Sequence, residues 1–242
     1  MQSGLYVTLS GQISLERHMQ AVANNVANIN TAGFRAEGST FESVLSRTGR
    51  VPVAFAGSGK AFLSQQAGPL SQTGNPLDLA VRGDAWFAVQ TPTGVRYSRD
   101  GRLTMTDMGD IVTVTGHSLL DQGGAPLAVD PLGGEIVVAA DGTVSQGGNI
   151  VGVVGLFQIA GDADLHRAVD GTVAVSANAV APAEDFVSVG VVQGYVEGSN
   201  VSPVIEMTRL IDVQRRFEQA ATAASSMENA LNQTIRDLGP TS

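Results

Sequence analysis

The stretch AVANNVANINTAGFR, residues 21–35, closes an apolar pattern that predicts a helix at the start of the chain. Apolar residues recur first at steps of four and then at alternating steps of four and three, which is typical of a helix. They are Leu5, Leu9, Ile13, Leu15, Met19, Val22, Val26 and Ile29. Gly33 can adopt the left-handed conformation that ends helices, and Phe34 can fold back on the last turn. We therefore expect a helix over about residues 3–30.

The same stretch carries four asparagines within seven positions, Asn24, Asn25, Asn28 and Asn30. Asparagine disfavours the interior of a helix because its amide competes for backbone hydrogen bonds. Their presence in a helical pattern therefore predicts that the amides have specific partners.

The last segment carries a second periodic pattern, in which apolar positions alternate at steps of three and four over four heptads. This spacing is typical of a coiled-coil seam. Its members are Leu210, Val213, Phe217, Ala220, Ala224, Met227, Leu231, Thr234 and Leu238. Ser202 is placed to cap the helix, Pro203 to take its first position, and Glu206 to close the capping loop. We expect this helix to run from about 203 to 237 and to stop before Gly239.

Between the two helical patterns the sequence predicts β-structure. Asp100-Gly101, Asp141-Gly142 and Asp170-Gly171 separate short runs of Val, Ile, Thr and Leu, as hairpin turns do. Residues 47–74 are rich in Gly, Ser, Gln and Pro without a period, so we expect an extended arm with at most one short strand.

The predicted fold class is α+β. The N- and C-terminal helices, within residues 1–46 and 195–242, are expected to pack as a coiled-coil-like helical domain. The arm occupies 47–74, and a mainly antiparallel β-domain is inserted at 75–194.

Composition and charge argue against several classes of protein. The net charge is -9 and the 14 Lys and Arg residues are scattered, which disfavours a nucleic-acid partner. No run of 18 apolar residues occurs, so no transmembrane segment is expected. The N-terminus lacks the features of a cleaved secretion signal. The chain has no cysteine, which suits a protein that passes between redox compartments.

Motifs for catalysis or metal binding are not found either. His18, His117 and His166 fall in different segments, and none has a second ligand at metal-binding spacing. The loop around Lys60 lacks the Gly and the Ser or Thr that a phosphate-binding loop requires, and no serine lies in a nucleophile elbow. We expect no enzyme activity, no metal and no cofactor.

Four motifs in order carry a family resemblance. They are ANNVANINTAGFR at 23–35, GNPLDLAVRGDAWFAV at 74–89, YSRDGRLTMTDMGDIVTVTGHSLLD at 97–121 and GYVEGSNVSPVIEMTRLIDVQRRFE at 194–218. Together they resemble the rod and hook family, the axial proteins of the bacterial flagellum. The compact length and the GDAWFAV form with Trp86 are most similar to a proximal rod subunit, and a distal rod subunit is the alternative.

The resemblance implies a structural subunit that leaves the cell through the flagellar type III export apparatus and polymerises in the periplasm, in the basal-body rod. Its implied partners are copies of itself, neighbouring proximal rod subunits, the distal rod protein and the export apparatus. In the family, helices from both termini form a tube around the export channel, and the β-domain forms an outer layer. The rod then serves as drive shaft and channel.

The same resemblance implies that side chains on the helices lie at subunit interfaces. The apolar members are Leu5, Leu9, Leu15, Met19, Val22, Val26, Ile29, Leu210, Val213, Phe217, Ala220, Ala224, Met227 and Leu231. Asn24 and Asn28 fall on one neighbouring face of the helix and Asn25 on another, where the three amides can donate and accept across subunits. Asn30 is expected in a cap or turn. The alternative is that these amides are solvated or only cap the helix end.

Two other readings use the same patterns. The C-terminal stripe alone is compatible with a homodimeric coiled coil. A secreted β-domain on a helical stalk would also have a β-structured middle, but it would need a secretion signal or an anchor.

Overall fold

The computed structural model describes residues 2–46 and 53–238. The helices are α1, Gln2–Ala27, and α2, Pro203–Leu238, and a single 3₁₀ turn lies at Ala177–Ala179. The strands in the described part are β1 Glu37–Ser46, β2 Val53–Leu63, β3 Leu70–Gln72, β4 Leu79–Arg82, β5 Trp86–Thr91, β6 Gly94–Ser98, β7 Leu103–Met105, β8 Ile111–Thr113, β9 Ser118–Leu119, β10 Ile136–Val138, β11 Thr143–Gln146, β12 Asn149–Val153, β13 Leu156–Ile159, β14 His166–Arg167, β15 Val173–Ala174, β16 Val180–Pro182, β17 Gly190–Gln193 and β18 Tyr195–Glu197. Two terminal helices and a central, mostly antiparallel β-region confirm the α+β class.

The chain divides into two compact units. Unit 1 comprises the described residues within Met1–Ala27, Glu37–Phe62 and Ser202–Ser242, and unit 2 comprises Asn28–Ala36 and Leu63–Val201. This grouping differs from the predicted boundaries. Residues 28–36 and 195–201, predicted in the helical domain, belong with the β-region, and the predicted arm is divided, with most of β2 grouped with the helices and residues 63–74 with the β-region.

In unit 1 the two helices pack antiparallel. Asn25, near the end of α1, bonds to Glu206 in the first turn of α2, whereas His18, two turns earlier, lies near Arg216 farther along α2. Val22 and Val213 are each only 3% exposed. One member of each predicted stripe is therefore buried inside the chain.

The predicted helix ends are confirmed to within three residues. α2 begins at Pro203, and its first backbone bond runs from Glu206 N–H to Ser202 O at 3.0 Å. α1 ends at Ala27, three residues before the predicted end, because the chain turns at Asn28, whose carbonyl accepts from the Thr31 N–H at 3.2 Å.

Strand β5 lies in the middle of the largest sheet of unit 2. It pairs with β6, β9 and β13, all antiparallel. Because both faces of this strand are covered, its apolar residues run on without alternation. Phe87 and Val89 point into the main core, and Trp86 points to the other face, where it packs with Leu165 and Val173.

Two of the three predicted Asp-Gly turns are confirmed. Gly142 (φ 86°) turns the chain between β10 and β11, and Gly171 (φ 81°) turns it between β14 and β15. The Asp100-Gly101 prediction is wrong, since β6 pairs with β5 and β15 while β7 pairs with β8. A Cβ on Gly101 would lie 1.7 Å from the carbonyl oxygen of Leu79, so this glycine permits close approach to β4.

A hairpin connection of only two residues joins β11 to β12. Gln146 pairs with Asn149 across it, and the two residues between, Gly147 and Gly148, have φ of 57° and 86°. Two consecutive left-handed residues match the twist of antiparallel strands, which explains the Gly-Gly pair.

The predicted arm, residues 47–74, contains more regular structure than expected. β2 spans Val53–Leu63 and pairs with β1, and β3 pairs with β18 at the end of the β-region. Gly59 and Gly38 fit this arrangement. A Cβ on Gly59 would lie 2.1 Å from the carbonyl oxygen of Thr40, and a Cβ on Gly38 would lie 2.3 Å from the ring of Phe62. Composition concealed these strands because their glycines serve close approach and not flexibility.

Candidate functional site

Side chains from all four quoted motifs meet in the interior of unit 2, in an ionic cluster defined as Arg35, Trp86, Arg99 and Glu197. Glu197 Oε1 lies 2.8 Å from Arg35 Nη2, and its Oε2 lies 3.2 Å from Arg99 Nη1. Arg35 and Glu197 are 0% exposed, and Arg99 is 2% exposed. The cluster thus brings together the start, middle and end of the sequence.

Backbone groups hold Glu197 and Arg35 in place. Arg35 Nη1 donates to the carbonyl oxygen of Gln65 at 3.0 Å and to that of Gln66. The N–H of Gly68 donates to Glu197 Oε1 at 2.9 Å. A buried charge is tolerated only when it is paired and hydrogen-bonded, and these contacts supply both conditions.

Arg99 is held from the other side by strand β4 and the turn after it. Its Nη1 donates to Val81 O at 3.2 Å and its Nη2 to Gly83 O at 2.6 Å. The guanidinium carbons of Arg99 and Arg35 lie 5.4 and 5.7 Å from the centre of the Trp86 ring, within the range of cation–π attraction. Within the described residues, the Nε atoms of the two arginines have no hydrogen-bond partner.

Two positive charges share one buried carboxylate in this cluster. Burial lowers the pKa of Arg99 to about 10, the charge of Glu197 opposes that change, and the charge of Arg35 adds to it. Burial also lowers the pKa of Arg35, against the opposing attraction of Glu197. For both arginines the attraction of Glu197 is the largest effect that opposes burial, and the exposed Asp84 adds a smaller one.

Gly33 and Asn200 fix the two chain segments that meet at the cluster. Gly33 has φ 66°, and its N–H donates to the backbone oxygen of Glu197 at 2.8 Å. A Cβ on Gly33 would lie 2.3 Å from Asp100 N. Asn200 Oδ1 accepts from Ala36 N–H at 2.6 Å. Gly33 was predicted to end α1. Its left-handed conformation is confirmed, but α1 ends at Ala27, and the missing side chain of Gly33 lets its backbone pack closely against Asp100.

Phe34, predicted to fold back on α1, is instead buried in unit 2. It is 4% exposed, and the Arg167 guanidinium lies over its ring at 4.1 Å. Arg167 Nη2 also donates to the carbonyl of Arg35 at 2.7 Å. The segment after the helix is therefore part of the β-region's core.

Asn25 has specific hydrogen-bond partners, as the sequence analysis predicted for the asparagines of α1. Its Oδ1 accepts from Glu37 N–H at 2.8 Å, and its Nδ2 donates to Glu37 O at 2.8 Å and to Glu206 Oε2 at 3.2 Å. Asn25 is 1% exposed and Glu206 is 3% exposed. The Asn25 amide is thus used inside its own chain, where it ties α1 to β1 and α2, and it is not available to a neighbouring subunit.

The other asparagines lie nearer the surface. Asn24 is half-buried and lines a groove of about 640 Å³ between α1 and strands β1 and β2. Asn28 is half-buried in the turn after α1, where its Oδ1 accepts from Thr31 Oγ1 at 3.1 Å. Asn30 is exposed in the same turn, as predicted.

The apolar stripe residues vary in their burial. Val22 and Val213 are buried between the helices, and Leu9 and Met227 are 49% and 42% exposed. The remaining described members are half-buried, namely Leu15, Met19, Val26, Ile29, Leu210, Phe217, Ala220 and Ala224. The side chains of Leu5 and Leu231 lie outside the described residues.

Each helix also presents a second apolar face, which the sequence analysis did not single out as such. On α1, Tyr6, Leu9 and Ile13 are 60%, 49% and 44% exposed. At 100° per residue, they lie roughly opposite the buried Val22. Their steps of three and four are the signal that could have identified this face.

On α2 the corresponding residues are Val204, Met207 and Ile211, which are 75%, 57% and 58% exposed. They follow the same steps of three and four and, at about 100° per residue, lie roughly 120–180° away from the buried Val213. A helix with apolar residues on two sides is typical of one that is covered on both sides. We call the two sets the outer faces of α1 and α2.

The described part of the chain contains neither a group of metal ligands nor a membrane-spanning helix. In residues 2–46 and 53–238, no three His, Asp or Glu side chains are grouped so that they could hold a metal ion. Neither described helix is long and apolar enough to cross a membrane.

Comparisons with known proteins match the same segments. Family models match at residues 5–35 (Flagella basal body rod protein), 80–146 (Flagellar hook protein FlgE/F/G D1 domain) and 192–237 (Flagellar basal body rod FlgEFG protein C-terminal). The flagellar basal-body rod protein FlgF of Mesorhizobium japonicum is 46% identical over 239 residues, with 99% of both chains covered. This chain belongs to the FlgF family of flagellar basal-body rod proteins. That family is a structural one and not a family of enzymes.

The choice between the two rod subtypes follows from identity. FlgF of Rhizobium meliloti is 41% identical, with 99% of both chains covered, whereas FlgG of Bacillus subtilis is 27% identical, with 97% of this chain and 98% of FlgG covered. The subtype predicted from Trp86 and the compact length is confirmed as FlgF-like. The chain is a structural subunit of the flagellar basal-body rod.

Proposed function

We propose that this FlgF-family subunit is built into the rod through the outer faces of α1 and α2. These faces carry large apolar side chains that the chain itself leaves exposed, and this observation is what supports the proposal. Burying one such side chain contributes about 1.5–3 kcal/mol before entropy costs. Contiguous apolar surface of this kind marks a contact with another protein.

In the proposed rod the two helices pack in a coiled-coil-like manner with helices of neighbouring subunits. The neighbours are copies of this chain, other proximal rod subunits and the distal rod protein. Asn24, Asn28 and the half-buried or exposed stripe residues belong to this proposed interface. Asn25, Val22 and Val213 are left out, because they are buried within the chain.

The proposal includes delivery by the flagellar type III export apparatus and assembly in the periplasm, as part of the drive shaft and of the wall of the export channel. The absence of cysteine supports such a route, since the chain can enter an oxidising compartment without cross-linking. The names of the relatives support the basal-body location.

Charged substitutions on the outer faces test the proposal. Leu9→Asp and Met207→Asp should leave the purified chain folded, because both side chains are already exposed. In cells that lack the native subunit, each variant should abolish swimming and complete basal bodies, since a carboxylate would be buried at the contact. Gln219→Asp, which changes an exposed residue of α2 away from the outer face, is the matched control and should support swimming. Normal basal bodies with both Leu9→Asp and Met207→Asp would overturn the proposal.

A further inference from the structure

Glu197 connects three segments of unit 2 that are distant in sequence. Its backbone oxygen accepts from Gly33 N–H at 2.8 Å, its Oε1 accepts from Gly68 N–H at 2.9 Å, and its strand pairs with β3 through Leu70. Its carboxylate also contacts Arg35 and Arg99, as described above. A residue near the end of unit 2 therefore holds together three of its segments beside Trp86, in the smaller of its two apolar clusters.

A chain that lacks this carboxylate would have to bury two like charges together. Arg35 and Arg99 both lie against Trp86, and each is at most 2% exposed. Removing one partner from a buried ion pair is far more damaging than replacing the whole pair by apolar groups, because the remaining charge keeps its desolvation cost. Without Glu197, two guanidinium charges, those of Arg35 and Arg99, would remain buried without their carboxylate partner.

We propose that Glu197 is a folding latch: the stable core of unit 2 does not form until the chain is complete through residue 197. Chains are synthesised from the N-terminus, so residues 1–196 exist before the latch residue does. Most of the strands of unit 2 precede it, yet they stay unable to close around Arg35 and Arg99. This rests on the proposed function in one respect, namely that a late-folding chain suits an exported subunit that must remain unfolded in transit.

The full-length chain with Glu197→Gln tests the latch. Glutamine keeps the size of the side chain, removes its charge and replaces one of the two acceptor oxygens by an NH2 donor. Trp86 is the single tryptophan and lies inside the cluster, so its fluorescence reports the unfolding of unit 2 directly. The folding equilibrium constant of unit 2, from urea titration, should decrease by about 100-fold to several thousandfold. Glu135→Gln, at an exposed glutamate of the same unit, should leave it unchanged.

A triple variant separates the charges from the rest of the cluster. Arg35→Met, Arg99→Met and Glu197→Met together remove all three charges and keep long side chains, but they also remove the hydrogen bonds to the backbone, so the triple variant should fold and recover part of the loss. If Glu197→Gln unfolds at the same urea concentration as the parent, or if the triple variant is as unstable as Glu197→Gln, the latch is refuted.

These measurements use purified protein and are independent of rod assembly. A stable Glu197→Gln variant would refute the latch and leave the proposed assembly surface untouched. Normal basal bodies in the α1 and α2 variants would refute that surface and leave the latch untouched.

Discussion

Substitution of Asn25 by alanine should destabilise unit 1 and not unit 2. The change removes three hydrogen bonds, two with the backbone of Glu37 and one with the carboxylate of Glu206. Each bond contributes about 1 kcal/mol, and the gain in helix propensity offsets about 0.5 kcal/mol. The expected net loss is about 2.5 kcal/mol, and more if the buried Glu206 carboxylate stays dry.

Two spectroscopic signals of the full chain can separate the units. Circular dichroism at the helical band follows α1 and α2, which belong to unit 1, while Trp86 fluorescence follows unit 2. For a urea dependence of about 2 kcal/mol per molar, the helical transition of Asn25→Ala should move down by about 1 M. The fluorescence transition should stay where it is.

The matched control is Gln20→Ala, which removes an exposed amide from the same helix and should shift neither transition measurably. A helical transition for Asn25→Ala within about 0.2 M of the parent would refute the reasoning. It would mean that the three bonds contribute nothing net and that the amide is replaced by solvent at no cost.

Two further predictions concern glycine and histidine. Gly33→Ala should cost unit 2 more than about 2 kcal/mol by Trp86 fluorescence, since φ is 66° and the new Cβ would overlap the backbone at Asp100, whereas Gly11→Ala should stabilise α1 by about 0.5–1 kcal/mol because nothing lies within 4 Å of the new atom. Equal effects of the two alanines would contradict this. Burial, helped by the charge of Arg209, lowers the pKa of His18, so the unfolded chain binds the proton first and unit 1 should lose stability as the pH falls below about 6.5. His18→Gln should lack this loss on acidification, measured by urea titration of the helical signal at several pH values.

The helices were predictable because their signals are local. Ser202 and Pro203 mark the start of α2 whatever lies around it, and the apolar steps identify both helices. Which surface covers an apolar stripe depends on residues far away in the sequence or on another chain, and the local pattern does not encode it. Val22 faces the same chain and Leu9 faces outward, although both obey the same spacing.

The ionic cluster could not be derived from the residues alone. In the sequence, Arg35 and Glu197 stand beside turns and look like ordinary surface charges. Their burial depends on two ends of the chain meeting, which no periodicity encodes. The quoted motifs pointed to the right segments, and the structure shows that Arg99 and Trp86 meet there as well. Asn25 was misjudged for the same reason, because its partners lie 12 and 181 residues away.

The Gly147-Gly148 turn offers a place to attach a label. The outer face of α1 lies at Tyr6, Leu9 and Ile13, so a fluorescent or affinity tag joined to the start of this helix would lie beside the surface proposed for assembly. The turn instead joins two strands of unit 2, and both of its glycines are exposed. Insertions are best tolerated at exposed tips of this kind. A tag placed there would let the subunit be followed into a growing rod with both helices left in their native form.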